Sequence, residues 1–325
     1  MFDFVRLQVA VALLAILVIG LLARAWRSRT GAVTLSACAV LAGYQASWLH
    51  PYSPIATPMA VTDRSCPPGA AFTVMVANVK KGNRNFEAFR AVVETADPDI
   101  LLALETDQWW DKQLAALDDR YQASVESVPK AAEYFGLHLF SKFPLDESAI
   151  EFWFGEDTPA VSAEVKLPTG TFRFVGIHPR PPQSFEQPTT LRDGTLAHVA
   201  LEAAETVFPI VVAGDFNAVS WERTYRRMMR VGGLLDPTVG RGFFATYDAT
   251  NPIMAWPLDH ILFQAGIGLR DFETLPFIDS DHYPVMAKLC LNPEMASRQS
   301  APTERADDRE ELRQAVQSAR RLGTP

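Results

Sequence analysis

The pattern of hydrophobic and polar positions changes near residue 70. Before that point, two apolar runs without charged residues occupy about 7–23 and 31–49. The first run is short for a membrane helix, but arginines bracket it, and their side chains can reach the membrane interface. The pattern predicts an N-terminal transmembrane helical hairpin over 1–50, with a single span or a signal sequence as the alternative. A Pro-rich linker is expected over 51–69, because proline interrupts helices and central strands.

Beyond the linker, short β-rich apolar runs alternate with amphipathic segments. The predicted strands are 72–79, 100–104, 136–140, 160–167, 171–177, 209–214, 260–264 and 284–291. The predicted helices are 85–96, 107–118, 188–206 and 221–231. Several neighbouring strands have no helix between them, which favours an α/β fold of four layers, a sandwich of two packed mixed sheets flanked by helices. We expect this catalytic domain over 70–294 and a charged tail over 295–325, either a solvated helix or disordered.

The charge distribution bears on both substrate and membrane topology. The net charge is -8, and the acidic excess lies between residues 51 and 297. An acidic domain is a poor electrostatic match for long duplex nucleic acid. A bound metal can nevertheless supply local positive charge for phosphate chemistry. The loop between the apolar runs holds Arg24, Arg27 and Arg29. By the positive-inside tendency this loop is cytoplasmic, so the downstream domain is expected outside a bacterial inner membrane, in the periplasm or beyond.

Polar side chains directly follow or precede several buried strands, where the sheet holds them rigidly. These residues are Asn78, Glu105, His178, Asp215, Asn217, Asp259, Asp281 and His282. Each alone is compatible with a turn or a cap. Together they supply oxygen ligands for a hard cation, a carboxylate to handle water, and donors for phosphoryl oxygens. His138 and His260 each adjoin an apolar run and are expected to be structural.

Six motifs occur in an order that resembles a known superfamily. They are NV (78–79), LLALE (101–105), GIHPRPP (176–182), GDFN (214–217), LDHI (258–261) and SDHYPV (280–285). This order is similar to that of the endonuclease/exonuclease/phosphatase superfamily, which includes DNase I, exonuclease III-type enzymes, neutral sphingomyelinases and inositol phosphate 5-phosphatases. The segments ETDQWW, NAVSW and RGFFATY also resemble a bacterial membrane-anchored branch of it.

The resemblance implies a role for each strand-end residue. It implies that Glu105 binds Mg²⁺ or Mn²⁺, with Asn78 and Asp281 in the metal and phosphate shell. Asp215 would align or deprotonate water. Asn78, Asn217 and His282 would bind the substrate phosphate. Asp259 would orient the imidazole of His282, and His178 would assist the leaving oxygen.

Two departures from the superfamily pattern weaken the case for abasic-site repair. Lys80 stands where many nucleases of the group have Asp, and no sequence signal places their active-site Tyr. The expected activity is therefore metal-assisted hydrolysis of a phosphodiester or phosphomonoester in a nucleic acid, a phospholipid head group or a small ester. The alternative is a catalytically silent membrane protein that uses the fold for binding. The lipid bilayer is the one macromolecular partner expected besides the substrate, and no protein partner is inferred.

The three cysteines are too few for a disulfide scaffold. If Asn78 and His282 reach one site, the first and last strands of the domain run antiparallel, and Cys66 comes near Cys290. A disulfide and two unrelated thiols both remain open. Cys38 lies in the second apolar run and is expected to stay free.

Overall fold

Two six-stranded sheets form the body of the protein in the computed structural model, which describes residues 3–129, 135–182, 189–251 and 253–323. The strands are β1 (Ala71–Asn78), β2 (Ile100–Thr106), β3 (Ala123–Ser127), β4 (Gly136–Ser141), β5 (Leu145–Glu151), β6 (Ala160–Leu167), β7 (Gly170–Ile177), β8 (Ile210–Asp215), β9 (Leu234–Leu235), β10 (Asp259–Gln264), β11 (Ile267–Thr274) and β12 (Val285–Leu291). The helices are α1 (Arg6–Leu22), α2 (Arg29–Leu49), α3 (Phe86–Ala96), α4 (Gln108–Leu114), α5 (Thr190–Ala203), α6 (Arg223–Gly232) and α7 (Asp308–Gly323).

The strand order is β11-β12-β1-β2-β4-β3 in one sheet and β5-β6-β7-β8-β10-β9 in the other. Each sheet has one parallel pair, β1 with β2 and β7 with β8, and its other neighbours are antiparallel. Both sheets are therefore mixed, as predicted. The parallel pairs matter for the site, because parallel strands end at the same edge of a sheet.

Apolar side chains fill the space between the sheets and the two outer faces. Phe72 of β1 and Phe172 of β7 stack across the central layer with ring centroids 4.4 Å apart. A second cluster packs α5, α6 and α7 on one sheet, and a third packs α3 and α4 on the other. The layers thus run helices, sheet, sheet, helices, and the four-layer α/β prediction is confirmed.

The C-terminal segment and the predicted linker contain more structure than their composition indicates. Helix α7 buries Leu312, Val316 and Ala319 in the same apolar cluster as α5 and α6. Residue 188 at the start of the predicted helix 188–206 and residues 324–325 of the predicted tail lie outside the described residues. Within the predicted linker, Asp63 donates its backbone N–H to Leu269 O at 2.7 Å, along β11. These contacts make α7 and the part of the linker around Asp63 members of the folded body.

Strands β1 and β12 pair antiparallel, with Ala71 opposite Cys290. The expectation that the first and last strands run in opposite directions is confirmed. Cys66 and Cys290 form a disulfide with their Cα atoms 5.8 Å apart. Cys38 is free, as expected.

Helices α1 and α2 belong to a separate compact unit that also includes Thr238–Phe243. Ser28 caps α2, since its Oγ accepts the N–H of Gly31 at 3.0 Å. Among the described residues, one helix is long and apolar enough to cross a membrane: Arg29–Tyr52, with a mean hydropathy of 1.3. Helix α1 is apolar but has only 17 residues.

Candidate active site

The candidate site lies where strands of the two sheets end at a common edge. Asn78 closes β1, Glu105 lies near the end of β2, and Asp215 closes β8. Asp259, the first residue of β10, is the antiparallel partner of Asp215. The Nδ2 of Asn78 donates to Asp215 Oδ2 at 3.1 Å. This hydrogen bond joins the two sheets at the site.

Asn78 holds two carboxylates at once. Its Nδ2 also donates to Glu105 Oε1 at 3.0 Å, while its Oδ1 accepts the N–H of Lys80 at 3.0 Å. Glu105 has a left-handed backbone with φ of 59° at an irregularity in the pairing of β2 with β4. A bulge of this kind releases one residue from the strand's alternation and redirects its side chain. The strain of a left-handed glutamate is of a kind that concentrates at functional sites.

Asp215 is almost completely buried. Its Oδ1 accepts the backbone N–H of Asn217 at 2.9 Å. Burial raises the pKa of Asp215 to about 6, against the opposing effect of the nearby imidazole of His282. A carboxyl group with this pKa is ionised at neutral pH but still able to take up a proton.

Asn217 is held by backbone contacts on both sides. It has a left-handed φ of 50°, and its Nδ2 donates to Pro179 O at 3.0 Å. The buried guanidinium of Arg192 donates to the carbonyl of Asn217 at 2.8 Å and also pairs with Glu222. The turn after β8 is therefore fixed from α5, and one amide hydrogen of Asn217 is already engaged.

His282 and Asp259 form a buried pair. The Nδ1 of His282 lies 2.7 Å from Asp259 Oδ2, and its Nε2 lies 3.6 Å from Asp215 Oδ2. Burial alone would lower the pKa of His282, but the carboxylates of Asp259 and Asp215 outweigh it and raise the pKa to about 10. The imidazole is therefore a cation at neutral pH, with Nε2–H directed toward Asp215.

His178 has a ring nitrogen that makes no hydrogen bond to the described residues of the site. Its buried Nε2 has no hydrogen-bond partner among the described residues, yet it lies 3.7 Å from both Glu105 Oε1 and Asp215 Oδ2. Its ring packs 5.5 Å from that of Phe135. A buried ring nitrogen facing two carboxylates without a hydrogen bond is the kind of exception that a water or a bound ion explains.

Asp281 lies at the rim of the site and is paired with Lys80, whose Nζ is 3.0 Å from Asp281 Oδ2. This hydrogen bond raises the pKa of Lys80 despite partial desolvation. The lysine that replaces the expected Asp thus neutralises one of the carboxylates that the resemblance implies for the metal shell.

In the described part of the chain, two groups of carboxylates and histidines are close enough to hold a metal ion. In one, ligand atoms of Asp215, Asp259 and His282 lie within 4.8 Å of one another. In that group His282 is itself a cation and its Nδ1 is taken by Asp259, so its imidazole is a poor ligand for a metal ion.

Three residues at the site were missed by sequence reasoning. Ser280 Oγ donates to the carbonyl of Asn78 at 2.7 Å and accepts the N–H of His282 at 3.1 Å. The ring of Tyr247 lies 4.9 Å from that of His282. Arg192 fixes the turn after β8. The sequence signals available were the Ser that opens SDHYPV and the Tyr that closes RGFFATY, and neither identifies a contact by itself.

Comparison with known proteins identifies the family that has this fold. The model of the Endonuclease/Exonuclease/phosphatase family matches residues 75–282, so the chain belongs to that family. A search of curated proteins found no match.

Solved structures share the fold at low sequence identity. TDP2 from D. rerio, complexed with single-strand DNA product, is 14% identical with a TM-score of 0.57, over 68% of this chain and 99% of that chain. A family protein from Bacteroides thetaiotaomicron is 15% identical with a TM-score of 0.54, over 69% and 96%. ANGEL2, a 2′,3′-cyclic phosphatase, is 15% identical with a TM-score of 0.50, over 68% and 96%.

Proposed function

We propose that this protein is a membrane-anchored, Mg²⁺- or Mn²⁺-dependent phosphoesterase whose catalytic domain lies outside the cytoplasm. The observation that carries the proposal is the convergence of Asn78, Glu105, Asp215 and His178 at one edge, with a buried ring nitrogen left facing two carboxylates. A protein that used the fold only for binding would not require a water-handling carboxylate, a metal ligand and phosphate donors together at one edge.

In this proposal Asp215 accepts a proton from the attacking water. Its pKa of about 6 keeps it ionised at neutral pH and close to the range for general base catalysis. His282, held protonated by Asp259, donates from Nε2 to a phosphoryl oxygen. Both groups face the same space, because His282 Nε2 and Asp215 Oδ2 are 3.6 Å apart.

The remaining polar groups position the substrate. The Nδ2 of Asn78 already donates to Glu105 and Asp215, so it could bind phosphate only by giving up one of these hydrogen bonds. Its main contribution is therefore to align the two carboxylates. Asn217 has two amide hydrogens and uses one of them on Pro179 O, which leaves the other for a phosphoryl oxygen. His178 donates to the leaving oxygen from its Nε2, which has no hydrogen-bond partner in the described parts of the chain.

The donor set fits a hard dication. Glu105 supplies a partly exposed carboxylate, and Asn78 and Asp281 are the further oxygen ligands that we propose. For Asp281 to take part, Lys80 must release it and turn toward the substrate phosphate. When bound, the cation supplies positive charge against the phosphoryl oxygens.

Anchoring and compartment rest on two independent features. The apolar helix Arg29–Tyr52 has the length to cross a bilayer. The Cys66–Cys290 disulfide suits an oxidising compartment, where such bonds persist. Together with Arg24, Arg27 and Arg29 between the two apolar runs, these features support an inner-membrane anchor and a periplasmic or extracellular domain.

The substrate class is tested best by a panel on the full chain in detergent. The panel contains DNA, RNA, a 2′,3′-cyclic nucleotide, sphingomyelin, phosphoinositides and bis(p-nitrophenyl) phosphate, each with Mg²⁺, with Mn²⁺ and with chelator. We expect hydrolysis of at least one class that disappears with chelator. Absence of metal-dependent release from every member, with the protein folded, would overturn the proposed activity.

A further inference from the structure

A second cluster of potential metal ligands lies outside the site described above. One potential ligand atom each from Asp111 of α4, Glu126 of β3 and His138 of β4 lies within 4.8 Å of the others. His138 Nε2 is 3.2 Å from Asp111 Oδ1 and 3.9 Å from Glu126 Oε2. None of these residues has a part in the proposed phosphoesterase chemistry.

Three different elements build this cluster, and strand register places two of its three residues. Glu126 and His138 are direct cross-strand partners in the antiparallel pair of β3 with β4. Side chains of such a pair project from the same face of the sheet. Helix α4 covers that face, which brings Asp111 over His138.

The imidazole of His138 is oriented as a ligand. The ring is 2% exposed, and its Nδ1 lies 3.0 Å from Thr106 Oγ1. Histidine ligands usually have their second ring nitrogen fixed by a hydrogen bond, which sets the tautomer and the ring orientation. Among the described residues, the other nitrogen, Nε2, faces the carboxylates of Asp111 and Glu126.

The distances suit a small dication after a modest contraction. Bonds of about 2.1 Å in tetrahedral geometry place ligand atoms about 3.4 Å apart. The separation of 3.2 Å between His138 and Asp111 already fits. The longer separation, 3.9 Å, lies between His138 Nε2 and Glu126 Oε2. The Glu126 side chain is 54% exposed and has room to move toward the ion. Neither carboxylate pairs with a lysine or arginine within the described ranges of the chain.

We propose that Asp111, Glu126 and His138 form a binding site for a Zn²⁺-class transition dication, separate from the phosphoesterase centre. An imidazole with two carboxylates favours zinc over magnesium, which prefers oxygen ligands in octahedral geometry. Water completes the coordination. The ion would tie the edge strand β3 to α4, beside the Thr106 that follows Glu105.

The competing interpretation needs no metal. In it, the Thr106 hydroxyl donates to Nδ1 and the Nε2–H donates to Asp111, so that His138 is an ordinary structural histidine. The two interpretations differ in the role of Glu126, which at 3.9 Å makes no hydrogen bond to His138. Without a metal Glu126 acts on His138 through its charge alone, whereas in the proposal Glu126 is a ligand.

The test therefore removes Glu126 and measures metal directly. The full chain in detergent carries Glu105→Gln, which weakens the proposed catalytic site, alone or combined with Glu126→Gln. The matched control is Glu105→Gln with Glu164→Gln, a strand carboxylate of the other sheet. Zn²⁺ stoichiometry and affinity are measured by titration, and Co²⁺ absorption reports the geometry.

We expect Glu126→Gln to weaken Zn²⁺ binding on the order of tenfold or more and to remove the Co²⁺ signal of a tetrahedral site. Glu164→Gln should leave both unchanged. Zn²⁺ should also raise the melting temperature in the control but not in the Glu126 variant. Superimposable Zn²⁺ titrations of the two double variants would overturn the site. Asp111→Asn gives an independent second test, because this side chain is 37% exposed.

Discussion

Asp215 is the residue on which the proposed chemistry depends most, since it contacts Asn78, faces two histidines and lies in the space between the sheets. Asp215→Asn keeps the shape of the side chain but removes its ability to accept a proton. We expect turnover of a phosphodiester with Mg²⁺ to fall by about 10²- to 10⁴-fold, the range for loss of a general base. Steady-state assays with bis(p-nitrophenyl) phosphate measure this loss.

The control for Asp215→Asn is a measurement that the variant still folds. Circular dichroism and melting temperature should stay close to those of the wild type, because the amide preserves the contact with Asn217 N–H. Near-normal turnover in a folded variant would show that Asp215 does not handle the water.

Glu105 is the proposed ligand of the divalent cation. Glu105→Gln replaces a carboxylate by a neutral amide, a poorer ligand for a hard dication. We expect the metal concentration for half-maximal activity to rise more than KM for the substrate does, with partial restoration by excess Mn²⁺. Glu164→Gln serves as the control, because this residue lies on β6, away from the site edge. An unchanged metal titration in the Glu105 variant would rule this residue out as a ligand.

Single residues show where sequence reasoning reached the site and where it stopped. Asn78, Asp215 and Asp259 could be predicted because each lies at the end of a recognisable apolar strand. Ser280 could not, since its bond to the carbonyl of Asn78 spans 202 residues of sequence and involves a backbone atom. Arg192 could not either, because a charged residue in the predicted helix 188–206 gives no sign of its burial against Asn217 and Glu222.

At the scale of elements, the apolar strands were predictable and the polar edge strands were not. Strands β3 and β5 lie at sheet edges, and their sequences ASVES and LDESAIE are mostly polar or exposed. Edge strands bury less apolar surface and carry charges that discourage pairing with other chains. Hydrophobic periodicity therefore carries little signal for them.

Helix α7 provides an element-scale prediction. Asp308 at its start accepts hydrogen bonds from Arg230 Nε at 2.6 Å and Arg227 Nε at 3.2 Å. The hydrogen bond from Arg230 holds the pKa of Asp308 well below its usual value, in spite of partial desolvation. Asp308→Ala leaves these guanidinium groups without that partner, and we expect about 3 kcal/mol lower stability by denaturant unfolding.

The exposed neighbour Asp307 supplies the control, since Asp307→Ala should change stability little. The pH dependence has a definite sign. Because the folded-state pKa of Asp308 is depressed, its contribution is present above the ordinary aspartate value and is lost as pH falls through the folded value. Equal stability of the two variants at neutral pH would show that α7 does not depend on this cluster.

At the scale of the molecule, the Cys66–Cys290 disulfide closes a loop with a sequence separation of 224 residues. The antiparallel arrangement of β1 and β12 was predictable from a shared site, but bond formation was not, because sequence does not fix the path of the residues before β1. Cross-linking across so long a loop restricts the unfolded chain, and removal of a native disulfide typically costs about 2–5 kcal/mol. We expect this loss for Cys66→Ser with Cys290→Ala, measured by denaturant unfolding.

Reductant gives the matching control for the disulfide. It should lower the unfolding midpoint of the wild type toward that of the double variant and leave the variant unchanged. Cys38→Ser should have no effect on this response, because that thiol is free. An oxidised wild type that unfolds at the same midpoint as the double variant would contradict a stabilising role.

Membrane orientation is the last property of the whole molecule that can be tested. If α1 and α2 both span the bilayer and the loop with Arg24, Arg27 and Arg29 is cytoplasmic, the C-terminus is exported. A C-terminal alkaline phosphatase fusion should then be active, and a fluorescent protein fusion exported in the unfolded state should be dark. Neutral replacements of the three arginines should produce mixed orientation, whereas neutral replacement of Arg313 and Arg320 in α7, far along the chain from both spans, should not. The reverse fusion pattern would place the disulfide in a reducing compartment, which is inconsistent with its persistence and would remove the two-span topology.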